Sequence, residues 1–441
     1  MKLSKKLGKL TRSFTTGLLF LACSGATIAQ GGALENYVQA ADSNYSWKIV
    51  DQRDEAGFHI ARLSLASQKW RDTVWQHNLI VVRPPTVRNP DIAFVFVTGS
   101  GAGEREVKIM QMVAAQSGAM AAVITDVPNQ PLYDGRKEDA LIAYTFAQYL
   151  KTGDETWPLL FPMAKSAVKA MDAVQEFAKQ EAKQGITRFV VGGASKRGWT
   201  TWLAGAVDQR IVGIAPMVID MLNMRVQTDW EQKVYGKQSE QIQDYVDNGL
   251  IKNQDDPRMV QLRNWVDPYS YRNRYTMPKL LLLGTNDPYW TVDSLHNYWD
   301  DLPEPKLVFQ TPNAGHNLGG GEEAIKTLAS FYQMIADHQT LPKASWKYDG
   351  SAKGAVKLSE DIQGKATSAR LWTAVSTNRD FRMSQWTNRT IELSRGNQHL
   401  EGAVETPSTG YRAFLLETTL QGANGASFKL STEARVTPEL K

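Results

Sequence analysis

Cysteine is almost absent from this sequence, which has one cysteine, Cys23, among 441 residues. Because Cys23 lies inside a predicted leader, disulfide bonds, a cysteine nucleophile and cysteine-bound metal are excluded for the rest of the chain. The sequence also lacks an H-E-x-x-H zinc motif and a completed G-x-G-x-x-G or Walker motif. No pair of carboxylates of the glycosidase type stands out. These absences leave few classes of catalytic chemistry open to the protein.

The first 29 residues have the pattern of a secretory signal peptide. Five basic residues precede a short apolar run at 17–23, and small residues follow at 27–29. This order predicts cleavage after Ala29 and export to the periplasm or the exterior. The run is too short to span a bilayer, so we expect no stable membrane span. A lipid anchor at Cys23 is the alternative, because Phe20–Cys23 faintly resembles a lipoprotein box.

The positive charge of the sequence belongs mostly to this leader. The leader holds five basic residues and no acid, so removing it changes the formal net charge from +4 to −1. Without the leader, the chain lacks the excess positive charge that is typical of proteins that bind nucleic acid or anionic membranes, and no nucleic-acid partner is predicted. The oligomeric state cannot be read from the sequence.

Apolar strand patterns alternate with helical patterns between residues 92 and 338. This alternation predicts an α/β fold of the α/β-hydrolase type, with a mostly parallel sheet flanked by helices and preceded by antiparallel entry strands. We predict a hydrolase domain over residues 30–342. The stretch 221–275 inside it is either a helical cap insertion over the site or a solvated elaboration. Short alternating stretches over 343–441 predict a small β-sandwich accessory domain.

One stretch, Phe189–Trp202 with the sequence FVVGGASKRGWTTW, predicts a buried strand, a glycine turn and a helix. Ser195 stands at the turn, which is the layout of a nucleophile elbow. The pattern is G-x-S-x-x-G rather than G-x-S-x-G, because Arg197 occupies the usual glycine position and Gly198 follows it. Taken alone, the stretch fits both a catalytic serine and an ordinary turn.

The chain order of an α/β hydrolase requires an acid and then a histidine after the nucleophile. Of the six histidines, His316 alone directly follows a predicted core strand, in a glycine-bearing loop, and we predict it as the base. Asp287 stands just after another core strand, where its carboxylate would orient the imidazole. Asp293 and Asp220 are the alternatives for the acid.

The predicted oxyanion donors are backbone amides near two strand ends. One is the amide of Lys196, directly after the nucleophile, and the others belong to the loop Gly99, Ser100 and Gly101. Side chains near these ends that either contact substrate or only pack are Trp199, Asn129, Gln130, Trp290 and Arg197. Lys196 and Arg197 either add positive charge for an anionic substrate or solvate a helix start. The chemistry needs no metal or cofactor.

Longer motifs of this chain resemble a known family. GGASKRGWTTWL, with DVPNQPL, DETWPLLFPMAKSAVKAMDAV, GTNDPYW and NAGHNL, resembles the PhoPQ-activated pathogenicity-related proteins of bacteria, from about residue 35 to the end. The resemblance implies an α/β-hydrolase fold, export and a triad of Ser195, Asp287 and His316, but little about the substrate. The turn G-x-S-[KR]-x-G is also similar to that of glucuronoyl esterases, which cleave esters of a sugar acid.

These patterns predict an exported serine hydrolase that performs acyl transfer, with an ester of small-molecule or polymer type favoured over a peptide as substrate. The alternative is a non-catalytic binding or signalling protein on the same scaffold, whose C-terminal sandwich meets a partner, because a fold does not fix an activity.

Overall fold

The computed structural model describes residues 32–99, 101, 103–350, 354–393, 396, 398–422 and 425–440. The predicted signal peptide with Cys23, and Ser100 of the predicted oxyanion loop, lie outside the described residues. Within these ranges no helix combines the length and apolar character needed to cross a membrane.

A nine-stranded sheet forms the centre of the described structure. Its strands are β1 (Ser46–Glu55), β2 (Phe58–Trp70), β3 (Thr73–Arg83), β4 (Ile92–Val97), β5 (Met120–Ile124), β6 (Arg188–Ala194), β7 (Ile211–Met217), β8 (Lys279–Gly284) and β9 (Lys306–Thr311). The spatial order is β1-β2-β3-β5-β4-β6-β7-β8-β9. Pairs from β1 to β5 are antiparallel, and those from β5 to β9 are parallel. This is the α/β-hydrolase arrangement, so the predicted fold class is confirmed.

Helices cover both faces of this sheet. The helices that contact its strands are α2 (Glu104–Ser117), α4 (Leu160–Glu181), α5 (Lys196–Val207) and α9 (Glu322–Ala336). Outside them, α1 (Ala33–Gln39) packs against α4, and α3 (Glu138–Thr152) packs against helices of the chain between β7 and β8. Alternate residues of a strand point to opposite faces. In β4, Ala93 and Val95 pack with α4 and α5, whereas Ile92 and Phe94 pack with α2 and α9. The strand is therefore apolar throughout, as a strand buried on both faces should be.

The chain between β7 and β8 is helical. It contains α6 (Met224–Tyr235), α7 (Gln243–Asp247), α8 (Pro257–Val266) and a 3₁₀ helix over Pro268–Arg274. The start of α8 has strong local signals, because Pro257 occupies the first turn and the Asp256 side chain accepts hydrogen bonds from the amides of Arg258 and Met259. We refer to residues 221–275 as the insertion.

The chain after α9 forms two packed antiparallel sheets. One contains β10 (Lys343–Asp349), β11 (Ala355–Gln363) and β14 (His399–Glu405). The other contains β12 (Ala366–Ser376), β13 (Thr387–Ile391), β15 (Tyr411–Gln421), β16 (Ser427–Ser431) and β17 (Arg435–Thr437). Leu358 and Leu400 of the first sheet share a core with Leu371 and Phe414 of the second. Two such sheets match the predicted sandwich, while the domain boundary at residue 342 stays a prediction.

Candidate active site

Ser195 stands between β6 and α5 in a strained backbone conformation. Its φ is 58° and its ψ is −126°, a region that costs a non-glycine residue roughly 1–3 kcal/mol. The Ser195 amide donates to the carbonyl of Met217 at 2.8 Å, and its own carbonyl accepts from the amide of Trp199 at 3.0 Å. This is the geometry of a nucleophile elbow at the carboxyl edge of the parallel strands.

Gly198 has a packing reason for its place one residue beyond the usual position. A Cβ at Gly198 would lie 2.9 Å from the carbonyl oxygen of Met217 and 3.0 Å from that of Gly193. The first turn of α5 therefore approaches the sheet too closely for a side chain at residue 198. Arg197, which occupies the usual glycine position, extends its side chain away from this contact and towards Val127.

The loops after β8 and β9 bring Asp287 and His316 together. Nδ1 of His316 lies 2.8 Å from Oδ2 and 3.1 Å from Oδ1 of Asp287, whose side chain is buried. An Nδ1–H that donates to this carboxylate leaves Nε2 as the acceptor. Nε2 is buried and has no hydrogen-bond partner among the described residues. The ring of Tyr289 stacks on the imidazole with 4.4 Å between centroids.

The two alternative acids have other partners. Asp293 forms a buried ion pair with Arg379 at 2.9 Å. Asp220 accepts a hydrogen bond from the hydroxyl of Tyr298 at 2.7 Å. Burial raises the pKa of Asp220 to about 8, although the bond from Tyr298 opposes the shift. Of the three candidate carboxyls, Asp287 is therefore the one that contacts the imidazole.

The oxyanion donors predicted from the sequence are the amide of Lys196 and the loop after β4, and this role stays a prediction. Lys196 is the first residue of α5, and the first amides of a helix lack intrahelical partners. In the part of the chain that the structure describes, the Lys196 amide donates to no acceptor. A Cβ on Gly99 would lie 1.8 Å from Nη2 of Arg197, so only glycine allows the guanidinium to pack against this loop. Gly101 is exposed.

The two cations after Ser195 are already neutralised. Nη1 and Nη2 of Arg197 each lie 2.6 Å from the carboxylate of Glu138, and Nζ of Lys196 lies 2.7 Å from Asp139. Burial alone would raise the pKa of Glu138, but the bonds from Arg197 outweigh it and lower the pKa to about 2. Arg197 does not line the cavity beside Ser195. Arg197 packs inside the protein, and its contact with substrate stays a prediction.

Asn129 and Gln130 also bind the protein itself rather than the cavity. Nδ2 of Asn129 donates to the carbonyl of Gln76 at 2.9 Å. Gln130 donates to the carboxylate of Glu138 at 2.6 Å and accepts from the Glu138 amide at 2.8 Å. Neither residue lines the cavity. Their polar groups hold the loop, and their contact with substrate stays a prediction.

A cavity lies beside Ser195 and beneath the insertion. It encloses about 120 Å³ and opens to solvent at a mouth. Trp199 and Trp290 line it together with Tyr289 and many side chains of the insertion, and contact of the two tryptophans with substrate stays a prediction. Side chains of the insertion thus line the cavity, and its role as a cap stays a prediction. In the described ranges no cluster of three His, Cys, Asp or Glu side chains could hold a metal ion.

Tyr289, Glu138 and Asp139 belong to the site but were missed by the sequence reasoning. The Tyr289 hydroxyl donates to Asp139 at 3.2 Å, and Asp139 also accepts from Tyr245 at 3.0 Å. Tyr289 follows Asp287 by two residues in GTNDPYW, so a local signal existed for it. Glu138 and Asp139 carry no such signal, because they reach the site only through the packing of α3.

The chain matches a known family over most of its length. Residues 34–382 match the sequence profile of the PhoPQ-activated pathogenicity-related proteins. The chain belongs to this family. It is also 33% identical to the autocrine proliferation repressor protein A of Dictyostelium discoideum over 450 residues, which covers 92% of this chain and 90% of that protein. The predicted family resemblance is confirmed.

Solved structures are similar at much lower identity. The acetyl xylan esterase from Paenibacillus sp. R4 is 15% identical with a TM-score of 0.47, over 67% of this chain and 90% of that one. Acetyl xylan esterase 1 from Thermoanaerobacterium sp. JW/SL YS485 is 13% identical with a TM-score of 0.48, over 68% and 91%. Likenesses at this level carry no activity or substrate across to this chain.

Proposed function

We propose that the protein is a serine hydrolase that cleaves carboxylic esters. Ser195 is the nucleophile, His316 the general base and Asp287 the acid that orients it. The observation that supports this most is the contact between Asp287 and Nδ1 of His316, which leaves Nε2 unpartnered at the sheet edge where Ser195 stands in its strained turn. Side chains in a triad are recognised by these roles and geometry.

The proposed reaction proceeds in two acyl transfers. Oγ of Ser195 attacks the ester carbonyl carbon as Nε2 of His316 takes its proton, and the proton then passes to the leaving alcohol as the carbon–oxygen bond breaks. Water next attacks the acyl-enzyme with the same base and releases the carboxylic acid. Asp287 stabilises the imidazolium, and amides of Lys196 and the Gly99–Gly101 loop donate to the oxyanion.

An ester is favoured over a peptide by the shape of the site. The cavity beside Ser195 is roofed by the helices of the insertion. Such a space suits one acyl or alcohol group better than an extended polypeptide, which needs an open groove and an edge with which to form backbone hydrogen bonds.

Steady-state hydrolysis of p-nitrophenyl butyrate tests the proposal. We expect wild-type protein to hydrolyse the ester and Ser195→Ala to lose at least a thousand-fold in kcat/KM. The matched control is Ser67→Ala, because the Ser67 hydroxyl also lies 2.9 Å from a histidine nitrogen, in His77, but is fully buried. Loss of activity in Ser67→Ala with retention in Ser195→Ala would overturn the assignment.

A non-catalytic binding or signalling role on the same scaffold is the second candidate. It is favoured by the relative from Dictyostelium discoideum, whose name denotes a repressor of proliferation. Folded wild-type protein without any serine-dependent hydrolysis would support this candidate.

We also propose that the protein is exported. The support is the leader pattern at residues 1–29, with its basic, apolar and small-residue segments in order. N-terminal sequencing of the protein from the periplasm or medium should find residue 30 first. A lipidated Cys23 at the N-terminus would favour the anchor, and an intact leader in that fraction would contradict cleavage.

A further inference from the structure

The wall of the cavity beside Ser195 is made chiefly of apolar side chains. Trp199, Leu250, Met259, Leu262 and Val266 all line it and are each less than 8% exposed. Three of them lie on α8 of the insertion. Such a wall favours an apolar ligand, because the transfer of an apolar group from water into an apolar cavity is favourable.

The polar side chains that line the cavity are mostly satisfied by the protein. Gln227 donates to the carbonyl of Ser294 at 3.0 Å, and Arg263 donates to the Gln254 side chain at 2.8 Å. Lys196 is paired with Asp139. A ligand rich in hydroxyl groups would therefore lose its hydrogen bonds to water and find few replacements in the wall.

Two buried polar atoms of the wall have no hydrogen-bond partner among the described residues. They are Oε1 of Glu231 on α6 and Nε1 of Trp290 in the acid loop. Burial raises the pKa of Glu231 to about 7, so this carboxyl is neutral through the acid range. The ammonium of Lys196, which follows Ser195, is paired with Asp139 and offers no free charge to an anionic acyl group, while the guanidinium of Arg263 is held by Gln254 on the insertion.

From these observations we infer that the cavity is an acyl pocket for an unbranched aliphatic chain longer than butanoyl. The inference rests on the proposed ester hydrolysis by Ser195. An acetyl group would contact few of the side chains that line this cavity, which include residues of α6 and α8. An aliphatic chain that enters the cavity leaves water, and each of its buried methylenes contributes about 0.8 kcal/mol, or about fourfold in kcat/KM.

A chain-length series tests the inference on the full mature protein. The substrates are p-nitrophenyl acetate, butyrate, octanoate and dodecanoate. We expect kcat/KM to rise at least tenfold from butyrate to octanoate. This rise is less than fourfold for each added methylene, because part of the apolar surface of the chain is already shielded from water before binding. Serine-dependent hydrolysis in which acetate is the best substrate would overturn the acyl pocket and leave the proposed ester hydrolysis standing.

Filling the cavity from α8 should reverse the preference. Leu262→Trp should lower the octanoate-to-acetate ratio of kcat/KM at least tenfold, and Met259→Trp is the second variant in case the first fails to fold. Gln261→Trp is the matched control, because Gln261 lies on the same helix but is exposed and outside the cavity. A ratio that is unchanged in a folded Leu262→Trp or Met259→Trp would contradict the inference.

Binding without turnover separates this inference from the proposed function. We expect dodecanoate to bind Ser195→Ala, measured by isothermal titration calorimetry, and to bind the Leu262→Trp form of that variant at least tenfold more weakly. If wild type hydrolyses no ester but binds dodecanoate in this Leu262-dependent way, the pocket stands and the hydrolase assignment falls. If dodecanoate does not bind although esters are hydrolysed, the pocket is wrong.

Discussion

Two regions of the chain reach the same edge of the sheet and contact the site in different ways. The insertion covers Ser195 with apolar side chains from α6, α7 and α8. The chain after α9 instead contacts the loops of Asp287 and His316 through hydrogen bonds and a buried ion pair. One region therefore lines the cavity, while the other holds the loops that carry the proposed acid and base.

The contacts from the C-terminal region come from the segment between β12 and β13, residues 377–386. Nδ2 of Asn286, the residue before Asp287, donates to the carbonyl of Ser384 at 2.7 Å. Asn313, in the histidine loop, donates to the carbonyl of Trp386 at 2.9 Å and accepts from its amide at 2.7 Å. The acid and histidine loops are therefore both bound to one segment, distant in sequence from either.

The two regions also contact each other. Arg382 in the segment 377–386 forms an ion pair with Glu240 of the insertion at 3.1 Å, and its guanidinium lies 4.4 Å from the ring centroid of Tyr235. Because Glu240 is exposed, this pair contributes little to stability. The roles of the two regions can therefore be tested separately, with variants in the insertion and variants in the segment 377–386.

The largest expected effect is on the acid itself. Asp287→Asn should lower kcat about ten-thousand-fold for every ester, because the amide holds the wrong imidazole tautomer, with little change in KM. Asp220→Asn is the matched control, since Asp220 is a buried carboxyl bonded to Tyr298 rather than to the imidazole. An equal loss of kcat in Asp287→Asn and Asp220→Asn would show that loss of the contact with His316 is not the cause.

Next comes the buried ion pair between the C-terminal segment and the acid loop. Arg379→Ala leaves Asp293 buried without its partner, so we expect the free energy of unfolding to fall by about 3–5 kcal/mol, measured by urea denaturation. Replacing both charges, in Arg379→Met with Asp293→Asn, should recover much of this loss. A double variant no more stable than the single one would show that the charge imbalance is not the cause.

A smaller effect is expected from the hydrogen bonds that hold the histidine loop. Asn313→Ala should lower kcat about tenfold to a hundredfold for short and long esters alike, because a small displacement of His316 misaligns the base. Asn388→Ala, on an exposed position of β13, is the control. If Asn313→Ala changed the octanoate-to-acetate ratio of kcat/KM instead of kcat, the C-terminal region would shape the pocket, and the proposed division between the two regions would be wrong.

The smallest effect concerns the insertion and depends on pH. Because burial raises the folded pKa of Glu231 to about 7 from an unfolded value near 4.5, the folded protein keeps a proton that the unfolded chain has lost between these values. The free energy of unfolding should therefore fall as pH rises through this window, by about 1.4 kcal/mol per pH unit at most from this group.

Denaturation of wild type and Glu231→Gln at pH 5 and pH 7 measures this slope. The variant, which cannot lose the proton, should be less sensitive to pH, so the difference in stability between the two proteins should shift in its favour at pH 7. Parallel pH profiles for the two proteins would show that Glu231 is not protonated in the folded state.

The site residues that follow core strands were predictable from the sequence, and those that depend on packing were not. Ser195, Asp287 and His316 each come directly after an apolar strand, so their loops meet at one edge of a parallel sheet. The pairing of Arg197 with Glu138 joins residues 59 positions apart. No local pattern signals that pairing, and Arg197 therefore resembled a free cation beside the nucleophile.

The C-terminal strands show the same limit. The short, alternating stretches predicted two packed sheets, because each has an apolar face. The bonds from Asn286 and Asn313 to the segment 377–386 could not be predicted, since asparagine in a loop fits an ordinary turn equally well. Their role depends on how the chain after α9 packs against the loops after β8 and β9, and the periodicity of a strand does not encode this packing.

The central claim, that Ser195 is a nucleophile activated by His316, is tested most directly by labelling with a fluorophosphonate. Purified mature protein is treated with the probe, digested, and mapped by tandem mass spectrometry. We predict that the phosphonyl group is found on Ser195 and that His316→Ala lowers the rate of labelling at least a hundredfold. A label on a different residue, or folded wild-type protein that takes up no label, would contradict the account.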